Sequence, residues 1–142
     1  MSNIFKTVKV GASSGYNVVI GRGLLKNTGE IIKEVVAPCK IALITDDIVD
    51  GLYSESVINS LIASGYEVVK FVFPHGEENK NLNTYAQILA FLAENELTRT
   101  DALVALGGGV VGDITGFASA TYLRGVKYIQ IPTTWASKVV GI

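Results

Sequence analysis

Three consecutive glycines, Gly107, Gly108 and Gly109, follow an apolar run from Asp101 to Leu106. After them Val110, Ile114, Phe117 and Thr121 recur at helical spacing. The stretch reads as a buried strand, a glycine turn and a helix starting at about Val110. A turn without side chains lets another molecule approach the backbone closely. The first turn of the helix adds unpaired N–H groups and the positive end of the dipole, so a phosphate or pyrophosphate fits there. Gly107, Gly109 and Gly112 also match G-x-G-x-x-G. The usual form of that motif follows the first strand and has an acidic residue about 20 positions later. Here it comes late, and no acidic residue follows Asp113. On spacing alone the turn is either a phosphate cradle or a tight strand-to-helix connection.

Other polar residues fall at the ends of the remaining apolar runs. Asp46 and Asp47 follow the strand Lys40 to Thr45. A carboxylate there accepts from a ribose diol or caps a helix, and capping is the reading favoured for Asp47. Glu77 and Lys80 lie in the loop Pro74 to Lys80, where they suit a ribose and a phosphate or form a solvated turn. His75, in the same loop, reads as a surface residue and not as a catalyst. Asp113 either complements the dipole of the glycine helix or, with a pyrophosphate in place, points aside from it. Thr133 and Thr134 offer hydroxyls beyond the last strand. Arg124 has the chemistry to grip a phosphate bidentately. It lies a helix length from the glycine turn, so it serves a different phosphate or a neighbouring subunit, or it is a helix C-terminal cation.

The elements that must carry these residues alternate. Phe5 to Val10 and Tyr16 to Ile20 suggest a hairpin at the domain edge. Leu24, Leu25, Ile31, Ile32, Val35 and Val36 form a helical stripe that stops before Pro38. The strand Lys40 to Thr45 leads to a helix with Leu52, Val57, Leu61 and Ile62 inward and Gly65 at C′. The strand Tyr66 to Phe73 precedes a helix carrying Tyr85, Ile88, Leu89 and Leu92, with Asn83 as its N-cap. The glycine helix leads to a last strand, Val126 to Ile131. Such alternation predicts an α/β fold, a mostly parallel sheet with helices on both faces. Ligands of such sheets sit beyond the carboxyl ends of the strands, where the polar and glycine residues gather.

Bulk properties set limits. The 142 residues suit one domain, and 49% are hydrophobic. No apolar run approaches the roughly 18 residues of a membrane span. The net charge of −1 gives no footprint for nucleic acid or an anionic membrane surface. One cysteine and one histidine offer no transition-metal motif. A lone cysteine and an N-terminus without a signal-peptide pattern point to the cytoplasm.

Residues 107–134, from Gly-Gly-Gly-Val-Val-Gly-Asp through Tyr-Leu-Arg-Gly to Ile-Pro-Thr-Thr, resemble the 3-dehydroquinate synthase family. The Pro74-His-Gly-Glu-Glu-Asn-Lys80 loop resembles that family's P-x-G-E-x-x-K loop. The resemblance implies a Rossmann-like, NAD-binding N-terminal domain of a two-domain, usually homodimeric enzyme of the shikimate pathway, which leads to aromatic amino acids by way of chorismate. That lyase converts 3-deoxy-arabino-heptulosonate 7-phosphate to 3-dehydroquinate and phosphate. NAD transiently oxidises a hydroxyl, phosphate is eliminated, the ketone is reduced again, and an aldol step closes the ring. A divalent metal, zinc or cobalt, polarises substrate oxygens. By matching motif, Asp46, Glu77, Lys80, Gly108, Gly109, Val110, Asp113, Thr133 and Thr134 contact NAD. Arg124 binds the substrate phosphate across the dimer.

The family usually continues Pro-Thr-Thr with Leu-Leu-Ala-Gln-Val-Asp, whereas this chain reads Trp135-Ala-Ser-Lys-Val-Val-Gly-Ile142. Val140 stands where a substrate-binding aspartate is expected. The family's helical C-terminal domain, with its Glu and two His metal ligands, has no counterpart in these 142 residues. The expectation is therefore a single domain over residues 1–142 with little or no synthase activity alone. The competing readings are another sugar-phosphate cyclase, such as one resembling 2-deoxy-scyllo-inosose synthase, a glycerol-dehydrogenase-type enzyme, and a non-catalytic nucleotide-binding or dimerisation module. Val110 and the lack of a lysine at position 116 count against the dehydrogenase.

Overall fold

Strand β3 (Lys40–Asp46) and strand β5 (Ala102–Gly107) are short, apolar and paired in parallel. They form the centre of the parallel part of the sheet. The computed structural model describes residues 4–10, 16–21, 27–133 and 139–141. The other strands are β1 (Ile4–Val10), β2 (Tyr16–Gly21), β4 (Glu67–Phe73), β6 (Lys127–Pro132) and β7 (Val139–Gly141). Together they make one seven-stranded sheet in the order β1-β2-β7-β6-β5-β3-β4. The stretch β6-β5-β3-β4 is parallel, while β7, β2 and β1 are added antiparallel. The fold is Rossmann-like.

Among the described residues, five α-helical segments connect the strands: α1 (Thr28–Ile32), α2 (Asp47–Val49), α3 (Glu55–Ala63), α4 (Leu82–Glu94) and α5 (Gly109–Thr121). A π-helical stretch, Asp50–Ser54, joins α2 to α3. Period-two alternation in β3 and β5 sends side chains to both faces. Ile41, Leu43, Val104 and Leu106 pack with Val57 and Leu61 of α3 on one face. Ala42, Ile44, Leu103 and Ala105 pack with Ile88 and Leu92 of α4 and Val111 and Ile114 of α5 on the other. Burial on both faces explains why these two strands read as continuous apolar runs.

The chain passes from β3 outward to β4, then crosses back over β3 to reach β5. The strand order thus reverses at the β3/β5 boundary. A crevice at such a switch point, beyond the carboxyl ends, is where ligands of this architecture bind. Two hydrogen bonds fix its walls. The buried Thr45 hydroxyl donates to the Leu106 carbonyl at 2.7 Å, and Thr133 N–H donates to the Gly107 carbonyl at 3.2 Å.

Several expectations need correction. The N-cap of α4 is Asn81, whose side chain accepts from Thr84 N–H at 2.9 Å, and not Asn83. Leu52, within the π-helical stretch, and Ile62, beside the buried Leu61 on α3, both face solvent. Val35 lies in the turn after α1 and is exposed, while Val36 is buried. Phe117 is exposed too: α5 buries Val111, Ile114, Thr115 and Ala118 against the sheet and turns Phe117 toward Tyr85 of α4, with ring centroids 4.7 Å apart. Strand β7 was not anticipated. Leu24 and Leu25 lie outside the described residues.

At the opposite rim, the buried Asp101 carboxylate ties the start of β3 to the turn before β5. It accepts from Lys40 N–H at 3.0 Å, Thr98 N–H at 2.7 Å and the Thr98 hydroxyl at 3.1 Å. Replacing it leaves those donors without an acceptor, so Asp101→Ala is expected to cost about 2–4 kcal/mol in urea unfolding. A loss below about 0.5 kcal/mol, the scale of an ordinary surface change, would contradict this role.

Candidate dinucleotide site

Three helices begin at the rim formed by the ends of β3, β4 and β5. Two of them supply their own N-cap. Asp46 accepts from Val49 N–H at 2.8 Å at the start of α2, and Asn81 caps α4. The capping reading given to Asp47 therefore belongs to Asp46. Helix α5 differs: its N-cap is Gly108, and no side chain closes that end. Its first N–H groups and dipole face the crevice without a counter-charge from a capping side chain.

The glycines around this end serve different purposes. Gly107 has φ +154°, and a Cβ there would meet Val111 Cγ2 at 2.7 Å. Its glycine is required by the turn and by the packing of α5. A Cβ on Gly112 would meet Gln130 Nε2 at 2.4 Å. Gly108 and Gly109 have neither constraint: a Cβ on either meets nothing within 4 Å. Both have ordinary negative φ or helical geometry. No atom of the described chain requires their lack of a side chain. Such a helix end suits the charge of a diphosphate.

The polar groups expected at the rim are brought around it. Register pairs Asp46 with Phe73 and Gly107 with Pro132, so Asp46, the 74–80 loop, the glycine turn and Thr133 end on one side of the sheet. Lys80 reaches across from its loop, with Nζ 2.9 Å from Asp113 Oδ2 and 3.7 Å from Glu77 Oε1. The Asp113 carboxylate beside it holds the Lys80 ammonium above its usual range. Asp113 is thus paired with Lys80, beyond the first turn of α5. Lys80, Leu82, Tyr85, Asp113, Ile114 and Phe117 line a cavity of about 270 Å³ between α4 and α5. Thr134 lies outside the described residues.

Some of the site was not foreseen. The Tyr128 hydroxyl donates to the Gly112 carbonyl at 2.7 Å and anchors the first turns of α5 to β6. Burial, and then the nearby Asp113 charge, push its pKa up to about 12, so it stays a donor at neutral pH. Only the pairing of β6 with β5 reveals this contact. Asp47 and His75 also form an unforeseen pair, described below. Arg124 is exposed and stands just past the far end of α5. A 13-residue helix separates it from the glycine turn by on the order of 20 Å. Leu123, Arg124 and Gly125 all have positive φ.

Comparison with known proteins decides the family. A family profile described as 3-dehydroquinate synthase N-terminal matches residues 70–141. Over 124 residues, 87% of the chain, it is 50% identical to a 3-dehydroquinate synthase of Streptococcus suis.

The chain belongs to the 3-dehydroquinate synthase family.

It spans 35% of the length of that family member. Among solved structures, a 2-deoxy-scyllo-inosose synthase complexed with carbaglucose-6-phosphate, NAD+ and Co2+ is similar with TM-score 0.80 and 25% identity. The match covers 92% of this chain and 36% of that one. A 2-epi-5-epi-valiolone synthase from Streptomyces hygroscopicus subsp. jinggangensis, with NAD+ and Zn2+ bound, is similar with TM-score 0.69 and 27% identity, covering 79% and 31%. Among the described residues no group of three or more His, Cys, Asp or Glu side chains is placed to hold a metal ion.

The family glycines can be separated by their effect on folding. Gly107→Ala is expected to lower stability by about 1–3 kcal/mol, from strained backbone and the clash with Val111. Gly109→Ala is expected to be neutral or to stabilise by up to about 1 kcal/mol, the helix-propensity difference. Thermal unfolding of the two variants checks the contrast. Equal losses would mean that the protein itself needs the bare turn at Gly109.

Proposed function

We propose that this chain is the NAD-binding part of a 3-dehydroquinate synthase, acting on 3-deoxy-arabino-heptulosonate 7-phosphate in the shikimate pathway. The observation that carries the proposal is the uncapped N-terminus of α5 at the sheet's switch point, with unfilled Cβ space at Gly108 and Gly109. NAD, when bound, supplies the transient oxidation and re-reduction of a substrate hydroxyl. The chain's own residues bind and orient it. Amides of Gly108, Gly109 and Val110 receive the diphosphate. Asp46, one of whose oxygens already caps α2, accepts from a ribose hydroxyl through its remaining acceptor sites. Glu77, Lys80 and Asp113 form a charged group beside the cradle. Thr133 and Thr134 contribute hydroxyls at the β6 end.

Arg124 sits too far from the cradle to share its anion. In this reading it takes the substrate phosphate in a neighbouring subunit of a homodimer. The divalent metal of the family reaction is assigned no ligand among the described residues. No described helix is long and apolar enough to cross a membrane, and the reading places the enzyme in the cytoplasm. Because the chain spans about a third of its relatives' length, the 142 residues alone are proposed to bind NAD without turning over substrate. The 50% identity to a named 3-dehydroquinate synthase favours that substrate over those of the related cyclases, which are 25–27% identical.

Calorimetric titration of the folded chain with NAD tests the reading. Saturable binding is expected, with Gly109→Ala weakening it about tenfold or more, a loss of roughly 1.4 kcal/mol. A folded sample that binds no NAD would leave only a structural role for the domain. Turnover by the 142 residues alone would overturn the division of labour proposed here.

A further inference from the structure

Asp47 and His75 stand on two different strand ends, after β3 and β4. One oxygen, Asp47 Oδ1, accepts from the His75 backbone N–H at 2.8 Å and lies 2.9 Å from its ring Nδ1. The restraint continues along the loop. The His75 carbonyl accepts from Asn79 Nδ2 at 2.9 Å, and Asn79 and Lys80 N–H close a tight turn onto Gly76 and Glu77 carbonyls at 3.0 Å. Lys80 then ends on Asp113 of α5. A path of polar contacts thus runs from α2, through the loop, to the helix that carries the cradle. The Asp47 and His75 side chains are 53% and 57% exposed. An exposed pair of this kind contributes little to global stability, so its effect falls on where the loop sits.

Resting on the dinucleotide reading above, we propose that Asp47 and His75 are positioning residues, a latch that holds the 74–80 loop so that Glu77 and Lys80 face the bare end of α5. The latch is tightest with His75 protonated. The charged groups around His75 are Asp47, and beyond it Asp46 and Glu78, all acidic. The hydrogen bond to Asp47 raises His75 above the usual histidine value of 6.5 and lowers Asp47 below the usual 3.8. A raised base contributes fully below 6.5 and loses its contribution as pH rises through its folded-state value. A lowered acid contributes above 3.8 and loses its contribution as pH falls through its folded-state value. The charged latch therefore spans the range from mild acid to neutrality. When it loosens, the fraction of molecules with the loop in place falls, and apparent affinity falls with it.

The latch and simple charge repulsion predict opposite signs. Asp47→Ala removes a negative charge near a site for a diphosphate, which by electrostatics alone tightens binding. The latch predicts that Asp47→Ala weakens NAD about three- to tenfold, and that Asp47→Asn, which keeps the acceptor oxygen, recovers part of the loss. NAD titrations of the 142-residue chain and both variants, at about pH 5.5 and about pH 8, provide one readout. NMR provides the second: the His75 ring and the Glu77–Lys80 amides should titrate together, above the ordinary histidine value, and should uncouple in Asp47→Ala. Unchanged or tighter NAD binding by Asp47→Ala would overturn the latch. Loop amides that ignore His75 would also overturn it, even if the chain bound no NAD at all. Absence of NAD binding with loop amides that do follow His75 would uphold the latch and refute the dinucleotide reading.

Discussion

A helix N-terminus without a side-chain cap leaves its first N–H groups to water or to a ligand. That constraint organises this molecule. Asp46 and Asn81 cap the neighbouring helices at the same rim, so side-chain caps are available in this fold where they serve it. At α5 the sequence places Gly108 instead, and a second glycine whose missing side chain relieves no contact. The sheet aims this end into the β3/β5 crevice, and the partly buried Tyr128 hydroxyl holds the first turns in place. An anion binding there meets amides already aligned, with little of the ordering cost that weakens association.

Beside that helix end, Glu77, Lys80 and Asp113 form a charged group. Asp113 lies beyond the first turn of α5, where the dipole has largely faded, so it does not complement that helix end. Lys80 holds the carboxylate at 2.9 Å from a different element. The same lysine leaves a cation beside the anion site. The loop that brings it has few buried contacts and depends on polar links, from Asp47 to His75 and on to Asn79. The rigid parts of the site come from β3, β5 and α5. The adjustable part comes from the loop.

Much of this was legible in the sequence because it follows from local patterns. Short apolar runs such as Lys40 to Thr45 and Asp101 to Leu106 announce strands buried on two faces, and polar residues after each run mark the ligand rim. The family resemblance of residues 107–134 agrees with the profile match. Less legible were features that depend on which elements become neighbours. The choice of Asp46 over Asp47 as cap depends on backbone geometry at a single residue. Leu52 turns outward within a π-helical stretch, whose phase periodicity at 3.6 residues does not anticipate. Tyr128 and Gly112 are sixteen residues apart, and their hydrogen bond exists only because β6 pairs with β5. Strand β7 is only three residues long, so no periodicity marked it.

The central claim is that the backbone amides of residues 108–110 hold the diphosphate. Amide NMR during titration with NAD, and separately with ADP, reads this directly. The account predicts that the largest shifts, common to both ligands, fall on Gly108, Gly109 and Val110, with smaller ones at Asp46 and Lys80. Shifts that spared residues 108–110 and clustered elsewhere would contradict it.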